Sequence, residues 1–317
     1  MDVICIGTAV LDILASPVGD SRNWKEKQRI SEIRLSQGGD ACNQSIRLSD
    51  AGVPTALAAC VGQDTNADAL RHFLEERNVD VSHLEVTGNA ATGTALILVD
   101  EEGERRTFSV KGAHSLLSRE GCSWVLQENP KAISIASLFC LPELEEDGLL
   151  ELLMDAKKRG ILTFADLGSD KRGQGIDGIR RFLPYIDYFL PSIYDAKAMA
   201  QSRENPEDSG KTEDSRETED AKEAARFFRG QGCAHVVIKC GKSGVYYLSG
   251  QEEGFSEALP VKPVDTTGAG DCFCALFISR ILAGCSMKEA CAYACRGASL
   301  STLSAGASAV PLSGIDD

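Results

Sequence analysis

No run of Lys and Arg long enough to form a basic stripe occurs in this chain, and its formal charge is -14. That argues against a nucleic-acid partner, because phosphate backbones are held by clustered cations. The acidic excess serves solubility. Twelve cysteines are present, yet no two stand as Cys-x-x-Cys, which argues against a zinc ribbon or a thioredoxin-type motif. Cys5, Cys60, Cys140 and Cys240 lie in apolar stretches, where a free thiol behaves as a small core residue, so reduced cysteines in a cytoplasmic protein are expected. No apolar run approaches the ~20 residues of a membrane-spanning helix. The first residues, MDVICIGTAVLDI, carry an acid instead of the basic run of a signal peptide and read as a first strand. No internal repeat is found.

What is present fits one large α/β domain, or one domain with a small appendage: 317 residues, 43% apolar and 25% charged. Short apolar runs at Val3 to Ile6, Ala56 to Val61, Ala132 to Ala136, Ile161 to Ala165, Tyr188 to Leu190 and Val236 to Cys240 read as buried strands. Helical patterns lie between them at Ala41 to Ala51, Ala67 to Arg77, Leu149 to Arg159, Ile193 to Ala200 and Ala221 to Arg229. Their alternation predicts a mostly parallel sheet flanked by helices in three layers. Arg29 to Leu35 and Thr92 to Val110 alternate with period two instead, and the second reads as a hairpin turning at Glu101 to Gly103. Strands without following helices project as a small β-sheet, either a lid or a dimer edge. The expected division is a core of residues 1–13, 37–90 and 111–317, with a β lid of 14–36 and 91–110. Residues 201–220, rich in Glu, Asp, Ser and Thr, are expected to be a disordered acidic loop within the core.

One stretch raises a chemical question. VDTTGAGDCFCALF, Val264 to Phe277, places its smallest residues just before an acid and a long apolar helix starting near Ala269 and ending at Gly284. Without bulky side chains, the backbone N–H groups of Gly268, Ala269 and Gly270 can approach an anion, which the helix dipole favours. Asp271 then stands beside that anion, expected to be ionised, where it can take a proton from an incoming nucleophile. An Asp that merely complements the helix dipole is the competing reading.

VDTTGAGDCFCALF closely resembles the C-terminal signature of the ribokinase-like (PfkB) carbohydrate kinases. QGGDACNQSIRLSDAGVPTALAACVGQDTNADALRHFLEERNVDVSHL, Gln37 to Leu84, resembles the N-terminal Gly-Gly-x-x-x-Asn region of the same family. The resemblance covers the chain apart from the acidic loop and implies the ribokinase-like fold with a β lid. It also implies an ATP- and Mg²⁺-dependent phosphotransferase acting on a hydroxymethyl group of a sugar or sugar-like molecule. Asp271 would be the catalytic base, with Gly268, Ala269 and Gly270 as the anion hole. A nucleoside acceptor is the nearest variant. A catalytically weak sensor that binds a sugar or nucleotide is the reading from another class.

On the acceptor side, the resemblance makes Asp12 a ligand for adjacent hydroxyls, against a loop Asp capping a turn. Gly38, Gly39 and Asn43 match its sugar-binding residues, and Asp40 is either a further contact or the N-cap of the following helix. Ribokinases proper commonly carry Lys at the position of Asp40 and Asn at that of Val10. Arg106 on the lid is set against acceptor or phosphates, or else is a solvated charge. On the nucleotide side, VVIKCGKSG lacks the glycine spacing of a Walker A loop. It resembles the family's strand followed by Gly-x-x-Gly, which puts Gly241 and Gly244 near the phosphates, with Lys239 and Thr267 as further cofactor contacts. Ser192 and Asp195 stand where the family usually has Asn-x-x-Glu, associated with Mg²⁺. Gly168 replaces the Asn of an Asp-x-Asn that begins at Asp166. Asp265 and Thr267 fall where some members bind a monovalent cation, against ordinary turn capping. An apolar face on the projecting sheet would bring two copies together as a homodimer.

Overall fold

The structure, a computed structural model, describes residues 1–19, 27, 29–101, 104–200, 213–304, 306–307 and 315. The chain runs through β1 (Val3–Ile6), β2 (Val10–Ser16), β3 (Glu32–Gly38), α1 (Asp40–Asp50), β4 (Thr55–Ala58), β5 (Cys60–Gly62), α2 (Thr65–Glu76) and β6 (Glu85–Thr87). The hairpin β7 (Gly93–Val99) and β8 (Arg105–Val110) follows, then β9 (Ala132–Leu138), α3 (Pro142–Asp147), α4 (Leu149–Lys158), β10 (Leu162–Leu167) and α5 (Gly175–Ile179). The last third holds β11 (Tyr188–Phe189), α6 (Ile193–Ala200), α7 (Glu213–Gly230), β12 (His235–Lys239), β13 (Gly244–Leu248), β14 (Glu253–Glu257), α8 (Ala269–Leu282) and α9 (Met287–Ser301).

The main sheet has the order β14-β13-β12-β11-β10-β9-β1-β4, parallel from β4 to β12 and closed by the antiparallel β13 and β14. Strands β1, β4 and β9 are buried at every position, as a sheet covered by helices on both sides requires. Alternation divides them: Ile4, Ile6, Ile133 and Ile135 pack with α4 and α7 residues such as Leu153 and Phe228. Val3, Cys5, Ala132 and Ala136 pack on the other face with Ile46 of α1, Phe273 and Phe277 of α8 and Ala290 of α9. The signature helix is therefore sandwiched, and Asp271 to Ile278 are all buried.

A second sheet, β3-β2-β7-β8, carries the period-two segments. Among the described residues no helix is long and apolar enough to cross a membrane. All twelve cysteines are free, and only Cys140 and Cys285 are not buried.

Three local expectations change. The run read as one strand from Ala56 divides after Ala58, because β4 pairs with β1 whereas β5 pairs with β6. Asp12 is not in a loop after the first strand: it lies within β2, opposite Ser36 and Ala95. The acidic segment 201–220 is not all loop. Residues 201–212 lie outside the described residues, but α7 begins at Glu213. Extending a helix already anchored by buried Ala221, Ala224, Ala225 and Phe228 adds one hydrogen bond per residue without a new nucleus. Lys197 pairs with Asp220, and the Ser243 hydroxyl donates to Glu217.

Candidate active site

The site forms where α1 and α8 begin side by side. Gly39 caps α1 with φ 90°, and a Cβ there would lie 2.5 Å from the Thr8 carbonyl oxygen, so only glycine lets the chain turn in this close. The N-cap is thus Gly39, and Asp40 is the first residue of the helix itself. Asp40 is held from both sides: its N–H donates to the Thr8 hydroxyl (3.0 Å), and the Ser137 hydroxyl donates to its carboxylate (3.2 Å). One turn on, Asn43 Nδ2 donates to Asp271 Oδ2 at 2.8 Å, joining residues 228 positions apart. Gln44 Nε2 points at the other oxygen from 3.4 Å, and its own Oε1 accepts from Ser134. Gln44 and Ser134 were not singled out in the sequence, although Gln44 adjoins Asn43 in the same motif.

Gly268, with φ 71°, opens α8, and a Cβ on it would lie 2.4 Å from that of Ala307. The Ala269 N–H is committed to the Thr266 carbonyl at 3.2 Å. No acceptor among the described residues takes the N–H groups of Gly270 and Asp271. Of the trio read in the sequence, Ala269 is thus committed, the N–H of Gly268 likewise has no acceptor among the described residues, and Asp271 adds a free donor beyond the trio.

Asp271 was expected to be ionised by the helix N-terminus, and its surroundings in the fold act against that. Burial first, and then the nearby Asp40 carboxylate, raise its proton affinity well above the usual carboxylate range; the Asn43 hydrogen bond opposes this only in part. Burial likewise raises Asp40 and Asp12, each to about 6, with Asp166 adding to the effect at Asp40. Burial pushes the Cys42 thiol up, and the charges of Asp12, Asp271 and Asp40 all act on it in the same direction. These three carboxylates therefore surround one small region. Gly38 faces it too, since a Cβ there would meet the Asp12 carboxylate at 2.3 Å. Asn43 Oδ1 is buried with no partner among the described residues.

Behind the first turn of α8 lies a cavity of about 500 Å³, lined by Lys239, Gly241, Gly244, Val245, Leu259, Val261, Thr266, Ala269, Gly270 and Phe273. Lys239 pairs with Asp166, and Cys274 donates to the same carboxylate at 3.4 Å. Thr266, not Thr267, lines this cavity.

Thr267 and Asp265 instead meet the second sheet. Arg105 donates to the Thr267 hydroxyl at 2.5 Å and lies 2.7 Å from the Asp265 carboxylate. Asp265, read on the resemblance as a monovalent-cation ligand, thus already holds a cation of the chain itself. Arg106 is exposed and falls on the opposite face, because β8 alternates; in register it stands opposite Leu98, whereas Arg105 stands opposite Val99. Arg105 was missed because two adjacent arginines in a strand cannot be told apart until its parity is known. Ser192 and Asp195 are brought to the same strand ends, Ser192 bridging to Lys239. The Ser192 hydroxyl donates to Asp195 at 2.6 Å, and the Asp195 N–H returns to it at 3.2 Å. Among the described residues, no cluster of three or more His, Cys, Asp or Glu could hold a metal by itself.

Comparison with known proteins identifies the family and the fold. The description "pfkB family carbohydrate kinase" matches residues 1–313. Relatives include ribokinases of Mus musculus, 28% identical over 277 residues (86% of this chain, 79% of that one), and of Bacillus subtilis, 27% identical over 308 residues (96% and 94%). Solved structures of the same fold include ribokinase from Thermotoga maritima (TM-score 0.78, 23% identity, 99% and 98% of the two chains). Arabidopsis thaliana ribokinase, complexed with ribose and ATP, is another (TM-score 0.77, 21%, 96% and 94%). A third is an E. coli protein described as a candidate ribokinase II in complex with ATP and Mg²⁺ (TM-score 0.81, 23%, 99% and 97%). Fold and matches define a phosphotransferase whose acceptor is an alcohol group. The chain belongs to the pfkB family of carbohydrate kinases, and its fold is ribokinase-like.

Proposed function

We propose that the chain transfers the γ-phosphoryl group of ATP to a hydroxymethyl group of a sugar or sugar-like polyol, with Asp271 as general base. The observation that carries this is the Asn43–Asp271 hydrogen bond, which joins the acceptor motif to the free amides at the start of α8. The cavity beside those amides has the size of a small-ligand site and suits a nucleotide, with Gly241, Gly244 and Lys239 along its wall. Mg²⁺ would arrive on the triphosphate, near Ser192 and Asp195, and neutralise charge on its oxygens. The free N–H groups of Gly270 and Asp271 would hold the transferring group. Asp12, Asp40 and the unpartnered Asn43 Oδ1 offer acceptors to sugar hydroxyls, which orients one of them toward Asp271. The test is ATP consumption across sugars, keto-sugar acids and nucleosides. Turnover with a polyol supports the reading; no turnover with any acceptor, despite ATP binding, overturns it.

A pH dependence follows. The base acts only when unprotonated, and its pKa is raised, so kcat/KM falls as pH drops through a value above the ordinary carboxylate range. Asp40→Asn removes the neighbouring like charge, so it should move that acidic limb to lower pH. A pH–rate profile of both proteins checks this; an unmoved limb would mean that the two carboxylates are not coupled.

The second sheet supports a lid and a homodimer. Leu35, Ile13, Leu96 and Phe108 stand in one row across its four strands. On that same face Ile33 is 72% exposed, Phe108 54% and Val110 69%, and two copies would bury these surfaces together. Wild type should sediment as a dimer and Phe108→Glu as a monomer; a wild-type monomer at every concentration counts against it.

A further inference from the structure

The opposite face of the second sheet carries Asp12, Arg34 and Arg105 at positions of one parity. The reaction outlined above uses Asp12 and neither arginine. Arg105 bridges Thr267 Oγ1 and Asp265 Oδ2. Asp265 is only 6% exposed, and its carboxylate also accepts from the N–H groups of Thr267 (2.8 Å) and Gly306 (2.7 Å). Burial acts to raise its proton affinity, but the Arg105 contact and those N–H groups outweigh it and hold Asp265 at about 2. Arg34, from a different strand of the sheet, reaches the same place: a Cβ on Gly306 would lie 3.6 Å from its Nη2. Thr267 immediately precedes Gly268, whose left-handed backbone directs the first free amides of α8.

We propose that Arg105 is a positioning residue that clamps the Asp265–Thr267 turn, and so aims the phosphoryl-binding amides of α8 only while the second sheet lies over the site. The inference rests on the kinase reading. Its physical basis is a charge balance. With the sheet in place, a buried carboxylate has a cation and two backbone donors, and the turn is fixed from three sides. Movement of the sheet withdraws the cation from a buried carboxylate, and the turn loses its outer constraint. Asp12 sits on the same face of the same sheet, so an acceptor that holds Asp12 down also holds Arg105 on the turn. Acceptor binding thereby assembles the phosphate site, and ATP without acceptor meets a loosened one.

The test compares wild type, Arg105→Ala, Arg105→Lys and Asp265→Asn. In ligand-free protein, amides of β8 and of residues 265–271 should exchange faster in Arg105→Ala than in wild type. In turnover with an active acceptor, Arg105→Ala should lower kcat by roughly 10²-fold, the scale of a small misplacement at a reacting centre, with KM for ATP within about threefold. Arg105→Lys should recover part of kcat, and added guanidinium should raise Arg105→Ala but not wild type. Combined with Asp265→Asn, the loss should be far from additive. Wild-type kcat and exchange in Arg105→Ala, or an additive double variant with no guanidinium rescue, overturns the proposal. An inactive wild type sinks the kinase reading instead, and the exchange measurement still decides the clamp.

Discussion

Asp271→Asn lowers kcat by roughly 10²–10⁴-fold, the usual worth of a positioned general base, while KM for ATP stays within a few-fold. The substitution is close to isosteric, and the new side-chain oxygen can still accept the Asn43 hydrogen bond seen at 2.8 Å. What it cannot do is take the acceptor proton. Stability should not suffer, because the same change removes a buried ionisable group whose charged form burial and the Asp40 carboxylate both oppose: the melting temperature of the variant should equal or exceed that of wild type. Steady-state kinetics beside a thermal unfolding curve checks both halves. A loss under tenfold would place the base elsewhere; an equal loss accompanied by unfolding would say only that the helix start had collapsed.

Lys239→Met destabilises the fold by about 3–5 kcal/mol, the cost of leaving one member of a buried ion pair alone. The lysine side chain is 13% exposed and that of Asp166 10%. Burial by itself would disfavour the lysine charge, and the adjacent Asp166 carboxylate is what keeps it protonated. Cys274, the other side chain against that carboxylate, carries no charge to replace it. Adding Asp166→Leu should therefore restore much of the lost stability, since it removes the orphaned charge as well. It should not restore phosphoryl transfer if Lys239 serves the nucleotide cavity that it lines. Unfolding midpoints of the two single variants and the double variant measure the coupling; additive losses would show that the pair is not a unit.

Much of this arrangement was legible in the residues. The start of α8 at Ala269 follows from a small-residue turn running into an apolar helix, and the alternation of strand and helix patterns carries the three-layer order of the core. Such features depend on neighbours within a few positions, where backbone sterics and periodicity act. The two glycine motifs named the ends of the chain that meet, but not the atoms that touch.

What lay beyond reach has one physical cause: it depends on which residues, far apart in sequence, share a surface. Ala56 to Val61 is one apolar run until β1 and β6 claim its two halves. Arg105 and Arg106 are equivalent until β8 is paired in register, and then alternation sends one to the signature turn and the other to the outer face. A helix N-terminus alone would favour the ionised form of Asp271; burial and the Asp40 carboxylate push its proton affinity the other way. The sequence by itself determined the family, the layered core and the glycine turn that opens α8. Only the tertiary structure decided the direction in which the proton affinity of Asp271 is shifted, the partner of Asp265 and the face of each residue of the second sheet, because electrostatic reach and strand register are properties of the folded chain.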